Sequence, residues 1–157
     1  MDARSRLWIP LALSLLVFAC ASPPPPPPKP TVVTATFVAK ENINPDARGR
    51  PSPVVVRLYE LKAVAAFNGG DFFSIYDKET ATLGGDLVAR EEFTLRPGEQ
   101  RTLTRTLQND TRTLAVVAAF RDLERAQWRA VTAVPLNQTT PVTITFDDKR
   151  VIIAVRP

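Results

Sequence analysis

The sequence predicts a mainly β fold, a two-sheet β-sandwich of about eight strands with a short helical insert. From Thr31 onward, apolar and polar residues alternate with a period of two in most segments, as in strands that bury one face. Short polar turns separate these segments, and the insert, about residues 62–87, is the stretch that loses the period. Many short strands with regular turn signals favour two packed sheets, and we assign the sandwich domain to residues 31–157.

The predicted strands are identified by apolar residues at every second position. The core-facing rows include Val33-Ala35-Phe37, Val54-Val56-Leu58, Leu103-Leu107, Leu114-Val116-Ala118-Phe120 and Val142-Ile144-Phe146. The segment from Leu114 to Phe120 is the most apolar, and we expect it to be central in its sheet. Arg105 shares a face with Leu103 and Leu107, so we expect that strand at an edge or near the rim of the sandwich.

Turn residues mark the boundaries between several predicted strands. Pro97-Gly98 suits the two central positions of a type II turn, because the second position needs a positive φ. Glu92–Leu95, just before this turn, is predicted to be a strand. Asp147–Arg150 favours a tight turn into a final strand, Val151–Val155, so the last two strands should form a hairpin.

The insert is predicted to contain two short helices. Residues 63–67 suit the first helix, which Asn68-Gly69-Gly70 would close, and Asp71 can cap the second. Phe72 and Tyr76, four residues apart, fall on one face of that second helix. We interpret these aromatic side chains as core that seals one sheet, and the alternative is that they line a ligand pocket.

The amino terminus carries a predicted processing signal. Residues 7–18 form an apolar segment of signal-peptide length, too short for a membrane span of about 20 residues. The segment ends in Val17-Phe18-Ala19-Cys20, which resembles a bacterial lipobox, and Cys20 is the single cysteine. The sequence therefore predicts a lipoprotein signal peptide over residues 1–19 and lipidation of Cys20. An ordinary secretory signal with a chance cysteine is the alternative.

Residues 20–30 are predicted to be the lipidated cysteine and a stiff, proline-rich tether. Polyproline II rises about 3.1 Å per residue, so Pro23–Pro30 would hold the domain roughly 25 Å from a bilayer. Two or more acyl chains on the cysteine would make the attachment stable. Ala21 is not the aspartate that favours inner-membrane retention, so we expect the outer membrane. A PxxP ligand for an aromatic groove is the alternative interpretation of the proline run.

The composition excludes several classes of function. The chain has no histidine, which removes the commonest general base and metal ligand, and one cysteine, which removes an internal disulfide and a cysteine-cluster metal site. Glu91 and Glu92 are adjacent in a predicted strand and point to opposite faces, and Asp147-Asp148 is typical of a turn. The charges, net +4, are interspersed. We therefore expect no catalytic residues, metal site, cofactor or nucleic-acid binding.

The predicted connection between the first two strands, Glu41–Pro53, is the other irregular segment. Its 13 residues exceed what a hairpin needs. Asn42, Asn44, Arg48 and Arg50 offer directional hydrogen-bond donors, and long loops on rigid β scaffolds frequently carry binding function. Composition alone leaves a tolerated surface insertion as an equal alternative.

The segment from Val54 to Glu99 closely resembles the TssJ (SciN-like) lipoproteins of the bacterial type VI secretion system. The resemblance rests on an ordered set of residues rather than on one motif. The set is Arg57-Leu58-Tyr59-Glu60-Leu61-Lys62, Phe67, Asp71-Phe72-Phe73, Tyr76-Asp77, Leu83-Gly84-Gly85-Asp86-Leu87 and Pro97-Gly98-Glu99. The lipobox before this block and the strands after it follow the order of the family.

The resemblance implies a transthyretin-like β-sandwich that is lipid-anchored in the outer membrane, faces the periplasm and has no enzymatic activity. Members of the family dock onto the periplasmic carboxy-terminal part of the inner-membrane protein TssM and, with TssL, form a trans-envelope complex. Their loop between the first two strands contacts TssM, which corresponds by position to Glu41–Pro53. We therefore predict five partner-binding residues in this loop: Asn42, Asn44, Asp46, Arg48 and Arg50.

Two other functions would keep the lipid anchor. One is a pilot lipoprotein that escorts an outer-membrane secretin, and the other is a carrier of a small ligand. A carrier would need an apolar cavity, which the aromatic insert could line, whereas a filled core around Phe72 and Tyr76 would oppose it. We expect a protein partner and no small-molecule substrate.

Overall fold

The structure of the protein, a computed structural model, describes residues 25–155. The predicted signal peptide and Cys20 lie outside the described residues. The strands are β1 (Val32–Ala39), β2 (Val54–Leu61), β3 (Leu87–Leu95), β4 (Gln100–Thr106), β5 (Thr113–Ala118), β6 (Arg129–Ala133), β7 (Thr139–Asp147) and β8 (Arg150–Val155). The helices, all between β2 and β3, are α1 (Ala65–Gly69), α2 (Phe72–Asp77) and α3 (Glu79–Leu83), and a 3₁₀ turn follows at Gly84–Asp86.

The strands form two four-stranded sheets, which confirms the predicted two-sheet sandwich with a helical insert. Sheet A has the order β4-β1-β7-β8 and sheet B has the order β3-β2-β5-β6. All neighbouring strands are antiparallel except β1 and β7, which are parallel. As predicted, β4 is an edge strand, β5 is internal, and β7 and β8 form a hairpin.

The main core lies between the two sheets and is built from the predicted rows. In β1 the burial pattern alternates strictly, because successive side chains point to opposite faces of the sheet. Phe37 is fully buried, with its ring centroid 4.8 Å from that of Phe93 and 6.4 Å from that of Phe146. These aromatic contacts join both sheets, so they fix how the sheets pack.

A second core lies on the outer face of sheet B, under the helices. Tyr59 and Leu61 of β2 and Ala115 and Val117 of β5 face this layer, and Phe67, Phe72, Ile75 and Leu83 cover them. β5 is therefore buried on both faces, which explains its nearly continuous apolar sequence. The interpretation of the insert aromatics as core is confirmed for Phe72, which is 9% exposed.

The helical insert differs from the prediction in its boundaries. The first helix is Ala65–Gly69 rather than residues 63–67, and a third helix, α3, follows Lys78. Leu83 is the one buried residue of α3, so five residues carry no helical period that a sequence pattern could show. The strand predicted at Glu92–Leu95 begins earlier, at Leu87, because it pairs with β2 along its whole length.

Two local predictions in and beside the insert are confirmed. The Asp71 carboxylate caps α2 by accepting a hydrogen bond from the Ser74 amide at 2.9 Å. Gly98 has a φ of +74°, and the Glu99 amide donates to the Arg96 carbonyl at 3.0 Å, which closes the turn at Pro97-Gly98. Between residues 25 and 155, no helix is long and apolar enough to cross a membrane.

Candidate partner-binding site

The predicted binding loop lies at the end of the sandwich opposite to the one where the chain enters β1. The Val32 amide donates to the Gln138 carbonyl at 3.0 Å, so the chain enters the fold beside the connection between β6 and β7. β1 then runs its eight residues, roughly 26 Å, to the loop at the other end. The Glu41–Pro53 loop therefore lies at the far end of β1 from the residues that precede the sandwich.

Asp46 organises the exposed part of this loop. Its Oδ1 accepts hydrogen bonds from the amides of Arg48 at 2.8 Å and Arg50 at 3.0 Å, and its Oδ2 lies 2.7 Å from the Arg50 guanidinium. The Asp46 amide donates in return to the Arg50 carbonyl at 2.9 Å. The hydrogen bonds from the Arg50 side chain and from the backbone hold the pKa of Asp46 below its usual value. Asp46 is therefore charged at neutral pH and shapes the turn that presents Arg48 and Arg50.

Asn44 is buried, and its side chain is used inside the protein. It has a φ of +47°, its Nδ2 donates to the Pro53 carbonyl at 2.7 Å, and its Oδ1 accepts from the Arg121 amide at 2.8 Å. Asn tolerates the left-handed region better than most residues, which suits it to this position. The structure thus places Asn44 beneath the loop surface, whereas Asn42, Arg48 and Arg50 are exposed.

Two further connections lie beside the loop, and the sequence prediction did not include them. Residues 119–128 join β5 to β6, and residues 148–149 join β7 to β8. Together with the loop they border a cleft of about 720 Å³, with Ala47 and Gly49 of the loop among its lining residues. Successive strands run in opposite directions, so the connections that follow β1, β5 and β7 all lie at the same end of the sandwich. This alternation was the signal in the sequence that could have placed them together.

Charged side chains line the cleft on the side opposite the loop. Arg121, Glu124, Arg125, Asp148 and Lys149 all contribute, together with Asp122. The Asp122 carboxylate lies 2.7 Å from the Lys149 ammonium and 3.5 Å from the Arg125 guanidinium. The hydrogen bond from Lys149 is the main reason that the pKa of Asp122 lies below its usual value.

Several acidic side chains at this end of the sandwich and along sheet B are held in ion pairs with arginines and a lysine. Within residues 25–155, no three His, Cys, Asp or Glu side chains are placed to hold a metal ion. Glu91 and Glu92 of β3 are paired with arginines, Glu91 with Arg101 at 3.6 Å and Glu92 with Arg57. Their geometry is that of structural ion pairs along β2, β3 and β4.

The space between the insert and sheet B is filled by side chains, which opposes the carrier alternative. The ring of Phe72 stacks on Tyr76 with centroids 5.0 Å apart and meets the Trp128 indole edge-on at 5.3 Å. The ring of Phe67 lies 5.9 Å from that of Tyr59. Phe67, Phe72 and Tyr76 of the insert are therefore engaged in packing, whereas Phe73 is exposed.

Comparisons with known proteins agree on one family. Residues 31–149 match the family model described as "Type VI secretion lipoprotein, VasD, EvfM, TssJ". The search of curated proteins returned no match. Among solved structures, the T6SS lipoprotein TssJ1 from Pseudomonas aeruginosa matches at 48% identity with a TM-score of 0.79, covering 82% of this chain and 98% of that one.

Two other structures are similar over most of the chain. Serratia marcescens Lip, described as a membrane-bound component of the type VI secretion system, has the same fold at 23% identity, with a TM-score of 0.74 over 82% of this chain and 99% of that one. A chain in the structure described as the T6SS protein TssM C-terminal domain (869-1107) from EAEC matches at 26% identity, with a TM-score of 0.67 over 78% of this chain and 99% of that one. The family match spans most of the sandwich, and the chain therefore belongs to the type VI secretion lipoprotein family.

Proposed function

We propose that this protein is an outer-membrane-anchored structural component of the type VI secretion membrane complex, and that it binds the periplasmic domain of TssM. The observation that carries the proposal is the placement of the Glu41–Pro53 loop, held in one shape at the end of the sandwich opposite the tether. In this position a membrane anchor and a partner-binding loop can act at the same time.

The comparisons support the proposal through the family. A similar chain occurs in the structure described as the TssM C-terminal domain, and another, at 25% identity and a TM-score of 0.68, occurs in one described as a type VI membrane complex. These descriptions concern the matched proteins. The inference for this chain is that the shared fold carries the shared role, and that its own loop forms the contact.

Within the loop, we assign the contacts to the exposed side chains. Asn42, Arg48 and Arg50 are available to a partner, and arginines at interfaces make strong, charge-assisted hydrogen bonds with carboxylates. Asp46 contributes by fixing the turn that carries the two arginines. Asn44 contributes from beneath, because its amide hydrogen bonds set the path of the loop into β2.

The amino-terminal part of the chain would supply the other attachment. We propose that residues 1–19 are removed as a signal peptide, that Cys20 is acylated, and that residues 20–30 form the tether on the periplasmic face of the outer membrane. The protein would act mechanically: acyl chains hold one end, and the loop holds a protein that is anchored in the inner membrane.

The loop assignment can be tested by replacing residues 46–50 with a Gly-Ser segment of the same length. This replacement spares Ile43 and Asn44, which are buried, so the sandwich should keep its melting temperature. Binding to the periplasmic domain of TssM from the same genome, measured by biolayer interferometry, should be lost. Unchanged affinity would move the interface elsewhere, and capture of a secretin instead of TssM would favour the pilot alternative.

The anchor assignment can be tested with Cys20→Ser. The variant should leave the outer-membrane fraction, lack incorporated palmitate and abolish type VI secretion. Its soluble domain should still bind TssM, because the site lies at the opposite end of the fold. Normal secretion by this variant would contradict the anchoring role.

A further inference from the structure

Three of the connections at the loop end, namely the Glu41–Pro53 loop, residues 119–128 and residues 148–149, form one hydrogen-bonded platform. The Asn44 side chain holds the Arg121 amide, and the Asn44 amide donates to the Asp148 carbonyl at 2.7 Å. The Gln127 amide donates to the Lys149 carbonyl at 2.9 Å, which joins the second and third connections. A partner that binds the loop therefore meets a surface whose other parts are fixed relative to it.

The ion pairs within this platform leave three charged side chains of the cleft without a charged partner. Among residues 25–155, Asp122 pairs with Arg125 and Lys149, and Asp46 pairs with Arg50. Arg121, Glu124 and Asp148 line the same cleft and form no ion pair within that part of the chain. All three side chains are exposed, so each charge can interact with solvent or with a partner.

We propose that this cleft receives an extended, mixed-charge segment of the protein partner, with an acidic side chain on Arg121 and basic side chains on Glu124 and Asp148. Arg121 is then a binding residue outside the Glu41–Pro53 loop. Asn44 is a positioning residue that acts through the backbone of Arg121. This inference rests on the proposed function for the identity of the partner and extends its site to all three connections.

The charge pattern also defines what kind of recognition the cleft can provide. Arg121 is positive and Glu124 and Asp148 are negative, so the cleft lacks the single-sign potential that would attract highly charged partners over long distances. Paired charges of both signs instead fix register and reject segments with the wrong order of charges. The cleft should therefore affect which partner binds more than how fast it arrives.

The test uses the full-length protein in detergent and the periplasmic domain of TssM as the probe. Arg121→Gln should weaken binding about tenfold or more, because it removes one partner of a charge-assisted hydrogen bond. Arg112→Gln is the control for the loss of one positive charge, since Arg112 is exposed at the opposite end of the sandwich, where its guanidinium donates only to the nearby carbonyls of Asn109 and Thr111. Glu124→Lys should also weaken binding, and the control should leave it unchanged.

A double-mutant cycle tests whether Asn44 affects binding by positioning Arg121 or only by stabilising the fold. Asn44→Ala should weaken binding more in the wild-type background than in the Arg121→Gln background, because the part of its effect that acts through Arg121 is already lost in the second background. Asn44→Gly removes the same side-chain hydrogen bonds but tolerates the φ of +47° at this position, so it replaces the alanine variant in the cycle if that variant does not fold.

The outcomes distinguish this inference from the proposed function. If replacement of residues 46–50 abolishes binding while Arg121→Gln and Glu124→Lys bind as tightly as wild type, the cleft proposal is overturned and the loop assignment stands. Additive effects of Asn44→Ala and Arg121→Gln would overturn the positioning role. A wild-type protein that does not bind TssM would instead refute the proposed function itself.

Discussion

The guanidinium of Arg57, on β2, lies over the ring of Tyr76, on α2, with its Cζ 3.6 Å from the ring centroid. Its Nη1 donates to the Tyr76 carbonyl, and its Nε pairs with the Glu92 carboxylate. Glu79 of α3 lies 3.6 Å from the same guanidinium. One arginine thus ties sheet B to two helices of the insert, through a cation–π contact, a backbone hydrogen bond and two carboxylates.

Arg57→Ala should therefore lower the free energy of unfolding by about 1–3 kcal/mol, because it leaves partly buried acceptors without their donor. Arg90→Ala is the control, since Arg90 reaches Glu79 and Glu92 only at 3.4 and 3.6 Å and is more exposed than Arg57. Chemical denaturation of both variants measures the difference. Equal losses of unfolding free energy in the two variants would mean that the contacts of Arg57 stabilise the fold no more than those of the more exposed Arg90.

Neighbouring phenylalanines on α2 provide a matched test of the second core. Phe72 packs against Trp128 and Tyr76, whereas Phe73 is 62% exposed. Phe72→Ala should cost about 3 kcal/mol of unfolding free energy, the lower end of the range for a buried ring, and Phe73→Ala less than about 1 kcal/mol. Similar melting temperatures for the two variants would show that α2 does not seal sheet B.

The stabilising contribution of Tyr59 should be lost at high pH. Burial raises the pKa of Tyr59 to about 12, and its hydroxyl donates to the Glu79 carboxylate at 3.2 Å. The unfolded chain, with an ordinary tyrosine pKa of about 10, loses its proton first as pH rises. Stability should therefore fall between about pH 10 and pH 12.

Tyr59→Phe removes this proton and so isolates its contribution. At about pH 9 the variant should be less stable than wild type, because it lacks the hydrogen bond to Glu79, and the gap should narrow by about pH 11. Denaturation curves of both proteins at the two pH values measure this difference in stability. A gap that stays constant would mean that Tyr59 titrates alike in the folded and unfolded chains.

Glu60 is a carboxylate in the core-facing row of β2. Hydrogen bonds and an ion pair compensate for its burial there. It is 2% exposed, and its Oε2 accepts from the Thr111 hydroxyl at 2.8 Å and from the Gln108 amide at 3.2 Å. Arg105 of β4 lies 3.4 Å away. Glu60 therefore holds the connection between β4 and β5 against β2.

Glu60→Ala should cost about 2–4 kcal/mol, because it leaves the Thr111 hydroxyl and the Gln108 amide without their acceptor and removes one of the two carboxylates, Glu60 and Glu91, that pair with Arg105. Glu60→Gln should cost less, since the amide oxygen can still accept from Thr111. Urea denaturation of the two variants provides the comparison. A glutamine variant as unstable as the alanine variant would assign the effect to the ion pair with Arg105 alone.

The rows of apolar residues, the cap at Asp71 and the turn at Gly98 could be predicted because each depends on residues only a few positions apart. Arg57 lies between Val56 and Leu58 of a core-facing row, so the two-residue period also places its side chain away from the main core. The sequence did not indicate what Arg57 meets, because Glu79 and Glu92 come from other elements and α3 has too few residues to show a period. The family resemblance carried information that the local patterns lacked.

The candidate site likewise combines features that the sequence could predict with features that it could not. By itself the sequence determined the fold class, the family and the position of a long loop after β1, since periodicity and ordered motifs are properties of the chain. Only the tertiary structure decided that Asn44 is internal and that Arg121 stands beside the loop. Asn44 and Arg121 are 77 positions apart, and their contact exists because β1 and β5, in different sheets, both end at the same end of the sandwich.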